Sequence, residues 1–265
     1  MKRFEKRTAI LTGAGAGIGR AITQRLLREG ARVLAVDKTV DGLKTLPAGE
    51  RLVTDHRDVT EADAPQAIVE MCLRHFRAID VLVNNAGVGR APRLHDTSDA
   101  DLDRHIDINL RSMFRLCREA LPHLIGSKGN ILNIASVMGT RGMATQAPYA
   151  AAKGGVVAVT RQIAAEYGPV GVRANAIAPG MILSAATAER FATGAYKARL
   201  IGVTPLQRYG ASEELASAAV FFCSDDASYV TGQILAVDGG ASSSIYVSDE
   251  VADLWAAKHD ADAAS

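Results

Sequence analysis

A single segment at residues 9–19, A-I-L-T-G-A-G-A-G-I-G, constrains the fold of this chain most strongly. It joins an apolar strand to a glycine-rich turn and then to a helix that begins near Gly17. Without side chains in the way, the backbone of such a turn approaches a pyrophosphate closely, and the free N–H groups at the helix start point at it. The segment therefore predicts a site for a dinucleotide.

The glycine spacing differs from the common fingerprint of NAD enzymes. Gly13, Gly15, Gly17 and Gly19 contain no G-x-G-x-x-G window and instead give T-G-x-x-x-G-x-G. A glycine-rich connection between a strand and a helix can also be purely structural. Other positions must therefore support the dinucleotide interpretation.

The first support comes from a second short apolar strand at residues 32–37, which ends in Asp37 about twenty residues beyond the glycine turn. A carboxylate there accepts hydrogen bonds from the adenosine ribose hydroxyls and repels a 2′-phosphate, which favours NAD over NADP. The neighbouring Lys38 would weaken that discrimination. The alternative is a surface aspartate at a strand end.

Length and composition indicate one domain without a nucleic-acid or membrane partner. The chain has 265 residues and a net charge of +1, with no basic block and no zinc-ligand spacing. No apolar stretch approaches the eighteen or more residues of a membrane span, and no targeting signal is evident. Cys72, Cys117 and Cys223 are widely spaced and odd in number, which predicts buried free thiols in a reducing cytoplasm.

Short apolar runs alternate with longer helical patterns, as is typical of a parallel sheet covered by helices on both faces. The runs are rich in Val, Ile and Leu without polar alternation, which favours strands buried on both sides. We predict a three-layer α/β fold with a doubly wound parallel sheet of about seven strands. The predicted strands are residues 8–11, 33–36, 51–54, 81–84, 130–134, 173–177 and 234–237, and the predicted helices are residues 17–29, 64–76, 100–124, 149–167 and 212–223.

The predicted domain covers residues 1–248. Within it, residues 184–208 lack a clear period and are expected to form a mobile loop beside the ligand site. Beyond it lies a tail at residues 249–265, where Val251, Leu254 and Trp255 fall on one helical stripe. This tail is either a short docking helix or a frayed acidic end.

The segment from Ser136 to Lys153 carries the catalytic signal. Tyr149 and Lys153 lie four residues apart in a helical stretch and therefore share one helix face. A tyrosine is a poor base near neutral pH unless a nearby ammonium stabilises its phenolate. Ser136 follows an apolar strand and could donate a hydrogen bond to a substrate oxygen. The three residues suit proton transfer at a carbinol oxygen while a nicotinamide exchanges hydride.

Taken together, the ordered motifs of the chain resemble the short-chain dehydrogenase/reductase family, in its branch of single Rossmann-like domains. The resemblance covers residues 6 to about 248. It rests on the glycine turn, Asp58-Val59, N-N-A-G at residues 84–87, Asn109, Ser136, Tyr149, Lys153, Pro179-Gly180 and Y-V-T-G-Q-I-L-A-V-D-G-G at residues 229–240.

The resemblance implies a catalytic role for four residues. Tyr149 would be the acid/base, Lys153 would lower its pKa and bind the nicotinamide ribose, Ser136 would orient the substrate oxygen, and Asn109 would hold a water that links Lys153 to solvent. The cofactor residues would be Gly13, Gly15, Gly17, Ile18, Gly19, Asp37, Asp58, Val59, Asn85, Ala86, Gly87, Tyr149, Lys153, Pro179, Gly180, Ile182 and Ser184. Relatives often carry threonine at the position of Ser184, so that contact is the least secure.

Met138 and Gln146, with Ser136 and Tyr149, are the expected substrate contacts, although ordinary loop packing is an equal alternative for the first two. Arg141 could meet a substrate carboxylate or phosphate, but the interpretation as an exposed surface residue is favoured. The six histidines have no metal-ligand spacing and are expected at or near the surface, so no metal is expected. The family is commonly tetrameric, and the apolar stretches 110–124 and 156–165 would supply the paired helix faces of a homotetramer.

The sequence thus predicts an NAD(H)-dependent oxidoreductase that interconverts a secondary alcohol and a ketone. A small polyol, a sugar or an alcohol resembling a hydroxy acid is the favoured substrate. One alternative is an NADPH-dependent reductase of 3-oxoacyl thioesters, which Asp37 argues against. The other is a non-catalytic nucleotide sensor on the same fold, which would not need Ser136, Tyr149 and Lys153 together.

Overall fold

The protein is described by a computed structural model over residues 2–192, 202–249 and 252–253. Its strands follow one another at regular intervals, each after an apolar run. The nine strands described are β1 Thr8–Thr12, β2 Arg32–Asp37, β3 Leu52–His56, β4 Val81–Asn84, β5 Asn130–Ile134, β6 Arg173–Pro179, β7 Ile182–Leu183, β8 Gly210–Ala211 and β9 Ile234–Val237.

Helices separate most of these strands in the described part of the chain. They are α1 Gly17–Arg28, α2 Val40–Lys44, α3 Ala64–Phe76, α4 Asp99–Ile106, α5 Ser112–Ser127, α6 Ala147–Tyr167, α7 Ala185–Phe191 and α8 Ser212–Cys223. Short 3₁₀ turns occupy Leu94–Asp96, Val137–Gly139, Gly168–Val170 and Asp225–Ala227.

Seven strands form one parallel sheet in the order β3-β2-β1-β4-β5-β6-β9. Successive residues of each strand enter different cores. In β1, Ala9 and Leu11 pack with α1 and α8 on one face, whereas Ile10 packs with α3, α5 and α6 on the other. Continuous apolar runs are required because both faces are buried. The predicted doubly wound α/β fold is confirmed.

Strand order reverses between β1 and β4, which are neighbours in the sheet. In doubly wound sheets, ligands bind in the crevice outside the carboxyl ends of the strands at this switch point. The glycine turn follows β1, and Asn85 follows β4. The topology therefore brings two of the sequence motifs to one edge.

Two predicted elements are wrong in part. Residues 100–124 do not form one helix, because a π-helical turn at Asp107–Arg111 separates α4 from α5. Part of the expected irregular loop at 184–208 is ordered: α7 begins at residue 185, where Ser184 and Thr187 form a capping box. The loop's residues 193–201 and nearly all of the tail at 249–265 lie outside the described residues.

The three cysteines are free and buried, as predicted. Burial raises the pKa of each thiol to about 12, because an apolar environment disfavours the thiolate. Among the described helices, none combines the length and apolar character needed to cross a membrane.

Candidate active site

The glycine turn is held in place by the loop after β4. The side-chain amide of Asn85 donates to the carbonyl oxygens of Thr12 (3.1 Å) and Gly13 (2.9 Å). Gly13 has a φ of +66°, which favours glycine, and a Cβ at Gly19 would lie 1.9 Å from the Gly13 oxygen. The main chain thus packs against itself without space for side chains.

The start of α1 has the properties of a diphosphate site. No acidic side chain lies in its first turn, and no side-chain hydrogen bond caps its first N–H groups. Unpaired N–H groups and the positive end of the helix dipole favour an anion at this position. The residues present therefore fit the dinucleotide predicted from the sequence.

Asp37 ends β2 beside the turn. Its Oδ2 accepts from the Gly15 N–H at 2.8 Å, and its Oδ1 accepts from the N–H (2.9 Å) and hydroxyl (2.6 Å) of Thr39. A carboxylate offers about four lone-pair positions, so Asp37 retains acceptor capacity for a ribose hydroxyl. Its carboxylate is fixed by the chain itself before any ligand binds.

Asp58 and Val59 follow β3, the strand beside β2. The carboxylate of Asp58 accepts from the N–H and hydroxyl of Thr60, at 2.9 and 2.8 Å. These hydrogen bonds, chiefly the one from the Thr60 N–H, hold the pKa of Asp58 below its usual range. Val59 packs against the core. The family resemblance implies that the two residues flank the adenine, and neither lines the catalytic cavity.

A cavity of about 300 Å³ opens at the carboxyl ends of β4, β5 and β6. It brings together all four predicted catalytic residues. It also includes Met138 and Gln146, the two further substrate predictions. From the cofactor prediction it includes Ile18, Asn85, Gly87, Pro179, Gly180, Ile182 and Ser184.

Lys153 is a buried side chain of this cavity with a strongly shifted pKa. It is 4% exposed, its Nζ donates to the carbonyl oxygen of Ile134 at 2.7 Å, and that Nζ lies 5.9 Å from the centroid of the Tyr149 ring. Burial lowers the pKa of Lys153 to about 8, because desolvation disfavours the ammonium. A cationic group thus lies within electrostatic range of the phenol.

The lowered pKa of Lys153 makes a prediction about stability. Between pH 8 and 10.5 the unfolded chain binds a proton at this lysine that the folded chain does not, so this group makes the free energy of unfolding rise with pH. We expect the free energy of unfolding of the wild type, minus that of Lys153→Met, to increase with pH over that window, by at most about 1.4 kcal/mol per pH unit. Urea denaturation measures both free energies of unfolding, and the contributions of the cysteines cancel in their difference.

Lys44→Met is the matched control, since that ammonium is exposed and pairs with Asp41 on the surface. Its difference from the wild type should stay nearly constant over the same pH range. A flat difference for Lys153→Met as well would contradict the burial of an ionisable lysine.

Ser136 follows β5 and is 5% exposed. Its Oγ accepts a hydrogen bond from the Met138 N–H at 3.2 Å, which fixes the oxygen. The hydroxyl proton remains available as a donor. Ser136 can therefore donate to an oxygen placed between it and Tyr149.

Asn109 lies in the π-helical turn and is 2% exposed. Its amide donates to the carbonyl oxygen of His105 at 3.1 Å, and its Oδ1 accepts from the Val88 N–H at 3.0 Å. A Cβ built on Gly87 would lie 2.7 Å from that Oδ1 and 3.5 Å from Lys153 Nζ. Asn109 thus fixes the segment after β4 beside the lysine.

Gln146 lies before α6 and is also bonded to the protein. Its Oε1 accepts from the Ala91 N–H at 3.1 Å, and its own N–H donates to the carbonyl oxygen of Pro92 at 3.0 Å. The residue therefore ties the wall formed by residues 88–92 to the start of the catalytic helix. Its predicted contact with substrate is limited to what its remaining amide donors can reach.

Ser184 lies at the cavity edge and begins α7. Its Oγ is 3.2 Å from Thr187 Oγ1, which also accepts from the Ser184 N–H. Ala86 lies next to Asn85, and its N–H donates to Thr12 Oγ1. Arg141, expected at the surface, is exposed and donates to the carbonyl oxygen of Ala241.

The expectation that every histidine lies at or near the surface is wrong for His105, which is fully buried. Its Nδ1 lies 2.8 Å from the carbonyl oxygen of Asp101, so this nitrogen carries a proton. Its ring meets the Tyr149 ring edge-on, with centroids 6.4 Å apart. The sequence feature that could have indicated its burial is its position one helical turn before Asn109.

Other cavity residues were not predicted from the sequence. They are Val88, Gly89, Arg90, Ile134, Ala135, Met181, Thr187 and Phe191. Phe191 stacks on Tyr209, with ring centroids 4.4 Å apart. In the described part of the chain, no three His, Cys, Asp or Glu side chains are arranged to hold a metal ion.

Comparisons with known proteins give a consistent result. A family model described as Enoyl-(Acyl carrier protein) reductase matches residues 13–242. A 3-oxoacyl-(acyl-carrier-protein) reductase of Thermotoga maritima is 37% identical over 244 residues, covering 90% of this chain and 98% of the relative. Levodione reductase of Leifsonia aquatica is 38% identical over 257 residues, covering 91% and 96%.

Among solved structures, a short-chain dehydrogenase/reductase from Brucella melitensis, titled glucose/ribitol dehydrogenase, superposes with a TM-score of 0.85. It is 38% identical, and the match covers 91% of this chain and 99% of that one. The family model spans most of the chain, and the relatives are matched over nearly their whole length. The resemblance predicted from the motifs is thereby confirmed: the chain belongs to the short-chain dehydrogenase/reductase family of oxidoreductases.

Proposed function

We propose that the protein uses NAD(H) to interconvert a secondary alcohol and a ketone, with Tyr149 as the acid/base. One observation carries the proposal: the buried Lys153 ammonium lies 5.9 Å from the Tyr149 ring centroid, in a cavity that also contains the Ser136 hydroxyl. A cation held in a region of low dielectric favours the phenolate. The site is therefore built to remove a proton from an alcohol or to return it.

In the oxidative direction, the Tyr149 phenolate accepts the hydroxyl proton while Ser136 donates a hydrogen bond to the same oxygen. Lys153 stabilises the phenolate, and the Ile134 carbonyl holds the ammonium in position. The nicotinamide, when bound, supplies the hydride acceptor at its C4. The reductive direction uses the same groups with Tyr149 as the proton donor.

We assign Asn109 a positioning role. Its side chain donates to the His105 carbonyl and accepts from the Val88 N–H, and the one donor and one acceptor position that remain would hold a water that links Lys153 to solvent. Such turns often lie at functional sites because they free backbone groups from helical pairing. Asn109 would then act by keeping this turn beside Lys153.

The proposed cofactor contacts follow the strand order. The glycine turn would hold the diphosphate, and Asp37, with Asp58 and Val59, would hold the adenosine. The segment 85–87 would line the path of the nucleotide. Pro179, Gly180, Ile182 and Ser184 would shape the nicotinamide side, with the Ser184 hydroxyl shared with its helix cap.

The choice between NAD and NADP can be tested at Asp37. We expect Asp37→Asn to raise kcat/KM with NADP about tenfold relative to NAD, because it removes a like-charge repulsion of about 1 kcal/mol or more against the 2′-phosphate. Steady-state kinetics with both cofactors measure the ratio. The exposed Asp41→Asn is the matched control. An unchanged ratio would remove Asp37 from the ribose site.

The proposal as a whole is tested by absorbance of the reduced nicotinamide. Purified protein is offered NAD or NADP with a panel of secondary alcohols, polyols and hydroxyacyl compounds, and NADH or NADPH with 3-oxoacyl thioesters. Turnover with NAD supports the proposed reaction. Turnover confined to NADPH and 3-oxoacyl thioesters supports the second candidate, which the similarity to 3-oxoacyl-(acyl-carrier-protein) reductases favours and Asp37 opposes.

A homotetramer is part of the proposal. On the outer surface, α5 and α6 form an apolar groove that includes Phe114, Leu121 and Ile125, with Phe114 49% exposed. Most of its residues belong to the stretches 110–124 and 156–165 that the family resemblance singled out. A second copy of the chain would cover this groove, and light scattering measures the mass of the assembly.

The buried free thiols support a cytoplasmic location, and residues 1–248 would form one domain.

A further inference from the structure

A second cavity of about 380 Å³ adjoins the catalytic one. The two share three lining residues, Met138, Gly180 and Met181. A molecule whose oxygen lies between Ser136 and Tyr149 can therefore extend past the two methionines into this space. We call it the side chamber.

The lining of the side chamber is largely apolar. Val137 and Met143 contribute side chains from one segment, and Val203 and Ile245 from two others. Burial of methylene groups against such surfaces is favourable by the hydrophobic effect, and the flexible methionines adapt to different chain shapes.

Most polar side chains around the side chamber already hydrogen-bond to the protein. The exposed Arg141 donates to the carbonyl oxygen of Ala241, and Ser244 Oγ donates to that of Gly240 at 2.9 Å. Asp238 Oδ1 accepts from the Gly240 N–H at 3.0 Å, whereas its Oδ2 is buried without a hydrogen-bond partner. The Tyr246 hydroxyl accepts from Gln207. The apolar part of the lining offers a polyol no hydrogen bonds in exchange for its lost hydration.

We propose that the substrate is a secondary alcohol or ketone with an apolar arm, and that the side chamber binds this arm. The inference rests on the proposed function and narrows its substrate class. It favours an alkyl or other hydrocarbon substituent over the polyols and sugars suggested by the sequence. Met138 and Met181 then select substrates by the shape of the passage between the two cavities.

The test is a series of 2-alkanols from 2-butanol to 2-decanol, assayed with NAD. A fully buried methylene is worth up to about fourfold in binding, so kcat/KM should rise about two- to fourfold per added methylene until the chamber is filled. A value that does not depend on chain length would overturn the inference.

Two variants reduce the space in the chamber. A Cβ at Gly142 meets no atom within 4 Å, so Gly142→Leu adds a side chain at the lining whose first carbon has open space. Val203→Phe fills the chamber from another segment. At least one of these variants should abolish the rise of kcat/KM with chain length for long alcohols. The kcat/KM for 2-butanol should stay within about twofold of the wild-type value. Gly126→Leu, an equally open glycine at the end of α5 that precedes β5, whereas Ser136 follows β5, should keep the rise. Equal loss for short and long alcohols in both chamber variants would contradict the proposal.

A binding measurement separates this inference from the proposed function. Calorimetry of 2-alkanones with Tyr149→Phe in the presence of NADH reports the same dependence on chain length without turnover. Length-dependent affinity supports the side chamber even where turnover of these model compounds is slow. Turnover of short alcohols without any length dependence overturns the chamber alone. Failure of every compound to react and of NADH to bind overturns both.

Discussion

Replacing Tyr149 by phenylalanine is expected to lower kcat by about 10²- to 10⁴-fold, the usual contribution of a positioned acid/base. The ring remains in place against His105, so the packing of the cavity is retained. Only the hydroxyl that exchanges the proton is lost. Because the glycine turn and Asp37 are untouched, the dissociation constant for NADH should change by less than about threefold. Turnover is followed by absorbance of the reduced nicotinamide, and cofactor binding by fluorescence titration.

Tyr167→Phe is the matched control, since it removes a hydroxyl from the last residue of the same helix. It should leave kcat nearly unchanged. Retained NADH binding with lost turnover distinguishes the enzyme from a nucleotide sensor, because a sensor would have no turnover to lose. Full activity in Tyr149→Phe would exclude this residue as the acid/base.

Substituting alanine for Gly19 is expected to disrupt the cofactor site from within. The new Cβ would lie 1.9 Å from the Gly13 oxygen and 2.4 Å from Asn85 Nδ2, so the turn and the loop that holds it must move apart. Misplaced N–H groups at the start of α1 can no longer converge on a diphosphate. We expect NADH to bind at least about 100-fold more weakly, and the free energy of unfolding to fall by about 1–3 kcal/mol, as overpacking does elsewhere.

The control is Gly126→Ala, a second helical glycine with no atom within 4 Å of the new Cβ. There alanine should raise stability by up to about 1 kcal/mol through helix propensity and leave cofactor binding unchanged. Calorimetry and thermal unfolding compare the two variants. Unimpaired NADH binding in Gly19→Ala would mean that the turn tolerates a side chain, contrary to its packing.

The sheet could be predicted because its strands are continuous apolar runs. Val81–Asn84, Asn130–Ile134 and Ile234–Val237 begin and end at the predicted residues. The break between α4 and α5 could not be predicted, since a π-helical turn adds one residue without interrupting the apolar pattern. The pairing of β7 with β8 was also not predicted, because these short strands are far apart in the sequence.

Order and spacing along the chain were enough to identify the residues that carry chemistry. The glycine turn, Asp37, Ser136, Tyr149 and Lys153 can be named without coordinates, because each motif depends on local geometry: a strand, a turn or one helix face. The family assignment followed from their order.

Tertiary structure alone decided the environment of these groups. It buried Lys153 against the Ile134 carbonyl, which lowers its pKa, and it placed His105 against the Tyr149 ring. It also assembled the side chamber from residues near 140, 180, 203 and 245. Desolvation and cavity shape are properties of packing between distant segments, and a local pattern contains no information about which distant segments will meet. The sequence by itself determined which groups can react, and the packing decided how acidic they are and what lies beside them.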